Sequence, residues 1–322
     1  MTLSAAFVSV VSAEDTTRPV HTYSIVARDV ETGQLGVAVQ SHWFSVGPLV
    51  PWAEAGVGAI ATQSFVNPAY GRDGLKMMAE GKTANETLYE LIQADESEEV
   101  RQVAMIDVNG NVAAHTGKMC IQAAGHHVGE NFSVQANMML SDEVWPAMAQ
   151  AYQNAEGDLA DRMLAALDAA QSVGGDIRGK QSAAILVVSG TSTGTPWVDR
   201  IMDLRVEDNP EPLKELHRLV TVHRAYQHMN AGDLAVEHGD TEKALEEYAA
   251  AEKIQPHNLE MIYWHAINLV NLGKLDEALP MFKRVFEGDR NWATLTPRLL
   301  DVNLLTVDEL GLEKILSVAP AD

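Results

Sequence analysis

At 322 residues and 46% hydrophobic side chains, the chain is long enough for two ordinary domains with packed cores. Its formal charge of −22, spread over both halves with no compensating basic block, argues against nucleic acid as a partner, because phosphate binding needs clustered Lys and Arg. The single cysteine, Cys120, excludes an intramolecular disulfide and a cysteine-rich zinc site, and in Lys118-Met-Cys-Ile-Gln122 it reads as a packing residue.

The first run, Leu3–Ala13, is apolar and closes on Val11-Ser-Ala13, a small-residue ending that suits signal peptidase, before the polar Glu14–Arg18. It lacks the usual basic start. Residues 1–21 are nevertheless expected to be a signal and pro-segment, which makes the protein secreted or periplasmic; the alternative is cytoplasmic. No other segment approaches the roughly 18 apolar residues of a membrane span, so none is expected.

Two β-branched-rich strands follow, Tyr23–Arg28 and Leu35–Gln40, joined by a polar turn around Glu31-Thr32-Gly33. A third apolar run is Gly56–Gln63. Chemistry sits at their ends: Thr22 opens the first, Gln40-Ser41-His42 close the second, and Thr62-Gln63-Ser64 close the third.

Asn67-Pro68 then breaks the backbone, and apolar spacing predicts a helix over Tyr70–Glu80. Thr83 is placed to cap a helix Ala84–Gln93, with Glu86 completing a capping box. Arg101–Val108 and Asn111–Thr116 flank Asn109-Gly110, which predicts a tight hairpin turn. Phe132–Met139 reads as a strand, Ser141 as the cap of a helix to Gln153, and Asp158–Ser172 as a further helix. Ser182–Ser189 and Met202–Val206 read as the last strands. Strands, two helices, strands, two helices and a closing strand suit two packed sheets with helices outside each.

Pro210-Glu-Pro212 marks a boundary, beyond which the chain is helical, starting with Leu213–Val222. Gly239, Ala244, Leu245 and Tyr248 return as Gly273, Ala278, Leu279 and Phe282, with polar turns at Asp240 and Lys274. That spacing resembles the tetratricopeptide repeat, and residues 213–322 are assigned to a helical domain of that kind. Its acidic faces, Glu242, Glu246 and Glu247 among them, suit a homo-oligomer contact or a protein partner.

The runs Ser24-Ile-Val-Ala-Arg-Asp29, Gly36-Val-Ala-Val-Gln-Ser41, Val50-Pro-Trp-Ala53, Gly56-Val-Gly-Ala59, Ala61-Thr-Gln63 and Asn67-Pro-Ala-Tyr-Gly71 resemble domain-of-unknown-function family 1028. So do Ala124-Gly-His126, Phe132-Ser-Val-Gln135 with Asn137-Met138, Gly179-Lys-Gln-Ser-Ala183 and Asp203-Leu-Arg-Val-Glu-Asp208. The resemblance implies an α+β fold, a four-layer αββα sandwich of the Ntn-hydrolase kind over residues 22–209, and it suggests an amide-bond hydrolase.

A hydroxyl at a strand start, facing polar groups from neighbouring strand ends, is also the layout of an N-terminal-nucleophile hydrolase, in which the free α-amine serves as base. The expected catalytic residues are Thr22 as nucleophile with Gln63 and Asn67; Ser41, His42, Ser64 and Asn137 are expected to bind substrate. Gln135, Lys180, Gln181 and Ser182 are weaker candidates. Family members that begin Met-Thr would expose the threonine by losing methionine, whereas here 21 residues precede Thr22, so activity requires a cut between His21 and Thr22.

His126-His127 with His115 do not suggest a metal site, because neighbours in a strand point to opposite faces. No Walker loop, dinucleotide fingerprint or Gly-x-Ser-x-Gly elbow occurs, and no cofactor is expected. The function expected is hydrolysis of a small amide or peptide-like bond. The alternative is a catalytically inactive binding module of the same fold, in which the repeats mediate protein–protein interaction.

Overall fold

The computed structural model describes residues 22–320. The expected signal segment, Leu3–Ala13, and the residues up to His21 lie outside them. The described chain is mixed α and β, with two antiparallel sheets and eleven α-helices, and divides into two compact units, one ending at Leu216 and the other beginning at His217.

In the first unit the six-stranded sheet runs β10(Arg200–Val206), β9(Ser182–Val188), β2(Leu35–Ser41), β1(Thr22–Arg28), β8(Phe132–Ala136), β7(Gly125–Gly129). The four-stranded sheet runs β3(Pro51–Glu54), β4(Gly58–Ser64), β5(Arg101–Asp107), β6(Val112–Thr116). Two of these strands, β3 and β7, are absent from the sequence reading. Pro51 and the glycine-flanked His126-His127 carry weak strand signals, and pairing to β4 and β8 overrides them.

Strand alternation decides what meets between the sheets. Val26, Val37, Val39, Ala184 and Leu186 of the larger sheet pack on Ala59, Ala61, Ala104 and Ile106 of the smaller. The other face of the smaller sheet, with Ile60, Val103 and Met105, is covered by α1(Ala69–Ala79) and α2(Ala84–Ala94) through Leu75, Met78 and Leu88. Helices α3(Val144–Asn154) and α4(Leu159–Ser172) pack against β1, β2, β7 and β8.

Local signals hold in detail at some ends. Thr83 and Glu86 form the reciprocal capping box, and Asp158 caps α4. At α3 they do not: Glu143 is the N-cap, and the Ser141 hydroxyl only accepts a 3.4 Å bond from the Glu143 N–H. The β5–β6 turn is also looser than Asn109-Gly110 predicts. Only Gly110 has positive φ, at 85°, and the Asp107 carboxylate accepts from the N–H groups of Asn109 and Asn111, replacing a two-residue turn by a longer loop.

Helix α6(Pro212–Glu237) begins at the proline expected to mark the boundary and runs well past Val222. Proline suits a first helical position, so it starts the helix. Beyond it lie α7(Thr241–Ile254), α8(Leu259–Asn271) and α9(Leu275–Gly288), with α5(Pro196–Asp199), α10(Asn291–Leu295) and α11(Glu309–Ser317) completing the set.

The 34-residue recurrence is structural. Helices α7 and α9 begin at 241 and 275 and end at 254 and 288, while α6 and α8 end at 237 and 271. Gly239 and Gly273 both take φ of 75°, a left-handed close to a helix that glycine adopts without strain. Ala244, Ala278, Tyr248 and Phe282 are buried at matching places. Gly232, 34 residues before the buried Ala266, lies against the Tyr248 ring, so a small residue is required there. Of the acidic face, Glu242 and Glu246 are exposed, but Glu247 is half-buried and paired with His228 and Lys243.

Candidate functional site

Antiparallel pairing of β1 and β2 sets Thr22 opposite Ser41, and pairing of β1 with β8 sets Ser24 opposite Gln135. Residues 22, 24 and 26 therefore share the face that looks towards the smaller sheet. Along this face Val26 belongs to the apolar core, whereas Ser24 and Thr22 continue into a polar end. Gln63, Gln102, Ser133, Gln135 and Asn137 join them, all fully buried. So many amides without solvent are tolerable only if they satisfy one another.

They do so as a connected network. The Thr22 hydroxyl donates to Ser41 Oγ at 3.0 Å. The Thr22 carbonyl accepts from Gln63 Nε2 at 3.2 Å and from the Asn137 N–H at 3.1 Å. Ser24 donates to Gln63 Oε1 and accepts from Gln135 Nε2, each at 2.6 Å. Gln102 is the hub. Its Oε1 accepts from Gln63 and Asn137 at 2.7 and 2.8 Å, while its Nε2 faces Thr116 Oγ1, the Gly125 carbonyl and the Ala136 carbonyl within 3.2 Å.

The strand-end residues named from sequence separate here. Thr22, Ser41, Gln63 and Asn137 come together. Asn67 is engaged elsewhere: its Oδ1 accepts from the Ala69 N–H at the start of α1, and its carbonyl accepts the Thr62 hydroxyl. Ser64 is fully buried at φ 68°, a strained value for a non-glycine residue where β4 ends. The His42 N–H donates to Asp176 Oδ2 at 3.1 Å, and its buried Nδ1 has no hydrogen-bond partner in the structure. Ser182 donates to the Trp43 carbonyl and accepts from the Val46 N–H, Lys180 pairs with Glu211, and Gln181 Nε2 donates to Asp208.

Ser24, Gln102 and Asp176 escaped the sequence reading. Ser24 and Gln102 could have been found from alternation, since each is polar at a position whose neighbours two residues on, Val26 and Ala104, face the core. Asp176 sits in the loop between α4 and β9, with no periodic signal. It is 3% exposed and paired with Arg178. Burial, then the charges of Asp176 and Asp168, push the nearby Tyr23 hydroxyl well above its usual range, so it stays protonated and donates to Gln171 Oε1.

Beside the network lies a cavity of about 700 Å3. Thr116, which accepts from Gln102, is on its wall with Lys118, Cys120, Gln122, Ser141 and Asp142. Burial raises the Cys120 thiol above its ordinary pKa, and its Sγ donates to the Arg101 carbonyl, which suits packing rather than nucleophilic attack. His126 pairs in register with Gln135 and contacts Thr116 Oγ1 at 2.8 Å, while His127 stacks on Phe132 on the other face. Burial, then His115 and His127, lower the His126 pKa, favouring the neutral ring. Among the described residues no three His, Cys, Asp or Glu side chains are grouped as metal ligands, and no helix is long and apolar enough to cross a membrane.

Residues 22–216 match a family model described as a family of unknown function, DUF1028. A crystal structure of a protein from Silicibacter pomeroyi, titled as belonging to the same family, is similar at 29% identity with a TM-score of 0.57, over 67% of this chain and 88% of that one. None of the curated proteins matches the chain.

Proposed function

The chain belongs to the DUF1028 family of unknown function, and on that premise we propose that its first unit is an Ntn-type amidohydrolase that uses Thr22 as an N-terminal nucleophile. The two face-to-face sheets with helices outside each are then read as a four-layer αββα sandwich. The observation that carries the proposal is the placing of Thr22: its hydroxyl lies 3.0 Å from Ser41 Oγ while Gln63 and Asn137 hold its carbonyl. A nucleophile needs that kind of fixed geometry, supported from behind by groups that are themselves pinned.

Thr22 is fully buried, so the precursor is inactive in this reading and hydrolysis of the His21–Thr22 peptide bond must come first. The freed amine then takes the Oγ1 proton as Oγ1 attacks the amide carbon. The tetrahedral intermediate collapses as that proton passes to the departing nitrogen, leaving an ester on Oγ1. Water hydrolyses the ester and restores the hydroxyl. Gln63 and Asn137 act here as positioning residues that hold the Thr22 carbonyl. Export of the chain and removal of residues 1–13 complete this reading.

The complete hydrogen bonding and full burial of Thr22 also favour a second reading, a catalytically silent module of the same fold. In it the helical unit, read as tetratricopeptide-like repeats, does the biological work through a protein partner or a second copy. The test is turnover of a panel of small amides and dipeptides by the processed protein and by Thr22→Ala. Loss of turnover in the variant supports the hydrolase; equal turnover eliminates Thr22, and no turnover by either supports the silent module.

A further inference from the structure

The helical unit contains its own pocket, of about 290 Å3, with Asp233, Val236, Tyr248, Trp264, Asn268 and Leu304 on its wall. Asn268, on α8, is 3% exposed, and its Nδ2 has no hydrogen-bond partner. A buried amide donor without an acceptor costs about 1–3 kcal/mol, a cost that an incoming acceptor would remove. The neighbouring Asn271 differs: its Nδ2 donates to the Leu304 carbonyl and its Oδ1 accepts from the Thr306 N–H, which fixes the segment bearing Leu304.

The remaining wall specifies what enters. Val236 and Leu304 are partly exposed, 39% and 46%, and offer an apolar surface beside the unpaired amide. Asp233 is exposed and is held by the Tyr248 hydroxyl at 2.6 Å through Oδ1. No lysine, arginine or histidine lines the pocket, and the whole chain carries −22, so an anionic guest is disfavoured and a cationic one attracted. A small amine would satisfy Asp233 but leave Asn268 without an acceptor.

We propose that this pocket docks a short peptide segment in which a lysine or arginine adjoins an aliphatic residue. The aliphatic side chain lies on Val236 and Leu304, the backbone carbonyl accepts from Asn268 Nδ2, and the basic group meets Asp233. The pocket holds one or two side chains rather than a folded domain.

The test titrates the full chain, by Trp fluorescence and calorimetry, with acetyl-Ala-Lys-Leu-Lys-Ala-amide, with the same peptide carrying Glu for Lys, and with butylamine. The lysine peptide should bind saturably and at least about tenfold more tightly than the other two. Asp233→Asn and Asn268→Leu should each weaken it by roughly tenfold. Neither variant should melt lower by more than a few degrees, because the first keeps the shape and the second removes an unpaired amide. No saturable binding, equal binding of the two peptides, butylamine binding as tightly, or unchanged affinity in both variants would overturn the proposal.

Discussion

The hydroxyls of Thr22 and Ser41 lie 3.0 Å apart, buried where β1 and β2 end side by side. Ser41 accepts the Thr22 proton and so sets the direction in which Oγ1 points. Ser41→Ala should leave that hydroxyl without its β2 partner and cost about 1–2 kcal/mol in a urea melt. If Ser41 is a positioning residue, kcat on any substrate found should fall with little change in KM. A raised KM at unchanged kcat would make Ser41 a substrate contact instead.

Gln102 should be the most costly single residue of the polar end. Gln102→Leu takes an acceptor from both Gln63 and Asn137 and a donor from Thr116 and two carbonyls, so chemical denaturation should register a loss of about 3 kcal/mol or more. Gln40 is the internal control. It is as deeply buried, yet neither of its side-chain polar atoms has a hydrogen-bond partner, so Gln40→Leu should be neutral or stabilising. If the two substitutions cost the same, the network is not what holds this end of the sheets together.

Asp95 gives a pH signature. Burial raises its carboxyl, but the Arg101 guanidinium at 2.8 Å, the Ser97 N–H and the Tyr70 hydroxyl outweigh that and hold it below the usual carboxylate range. The folded value is thus below the unfolded one. Its stabilisation is complete above the unfolded value near 4 and is lost as pH falls through the lower folded value. Asp95→Asn should cost about 1.5 kcal/mol at pH 7, and variant and parent should converge as pH drops from about 4 towards 2. A gap that stays constant over that range would mean the loss is steric.

How much of this was legible in the sequence depends on whether a signal is local. The Thr83–Glu86 capping box and the 34-residue recurrence follow from local patterns and appear as read. The hub role of Gln102 depends on β4–β5 register and on the approach of β8 from the other sheet, neither of which a single strand encodes. Asn67 shows the converse. Its proximity to Gln63 in sequence suggested a shared role, but the chain turns there and the amide closes the start of α1.

The two units should divide the work. Leu213 and Leu216 are buried and fall in the first unit, so a stop codon at Pro212 would strip that unit of packing residues. A stop after Leu216 is the better truncation. Under the proposed function it should retain amidase turnover within a few-fold while altering oligomeric state or peptide binding, measured by light scattering and calorimetry. A truncated protein that folds, keeps its assembly state and loses turnover would place the helical unit in the chemistry.

The amine base exists only if the chain is cut directly before Thr22, and that cut can be weighed. Protein isolated from its native host should give an intact mass, and an N-terminal sequence, that begin at Thr22, with Ser41, Gln63 and Asn137 left to hold the new terminus. A mature chain that begins at Glu14, or that retains residues 1–21, would contradict the account and leave Thr22 a buried strand residue.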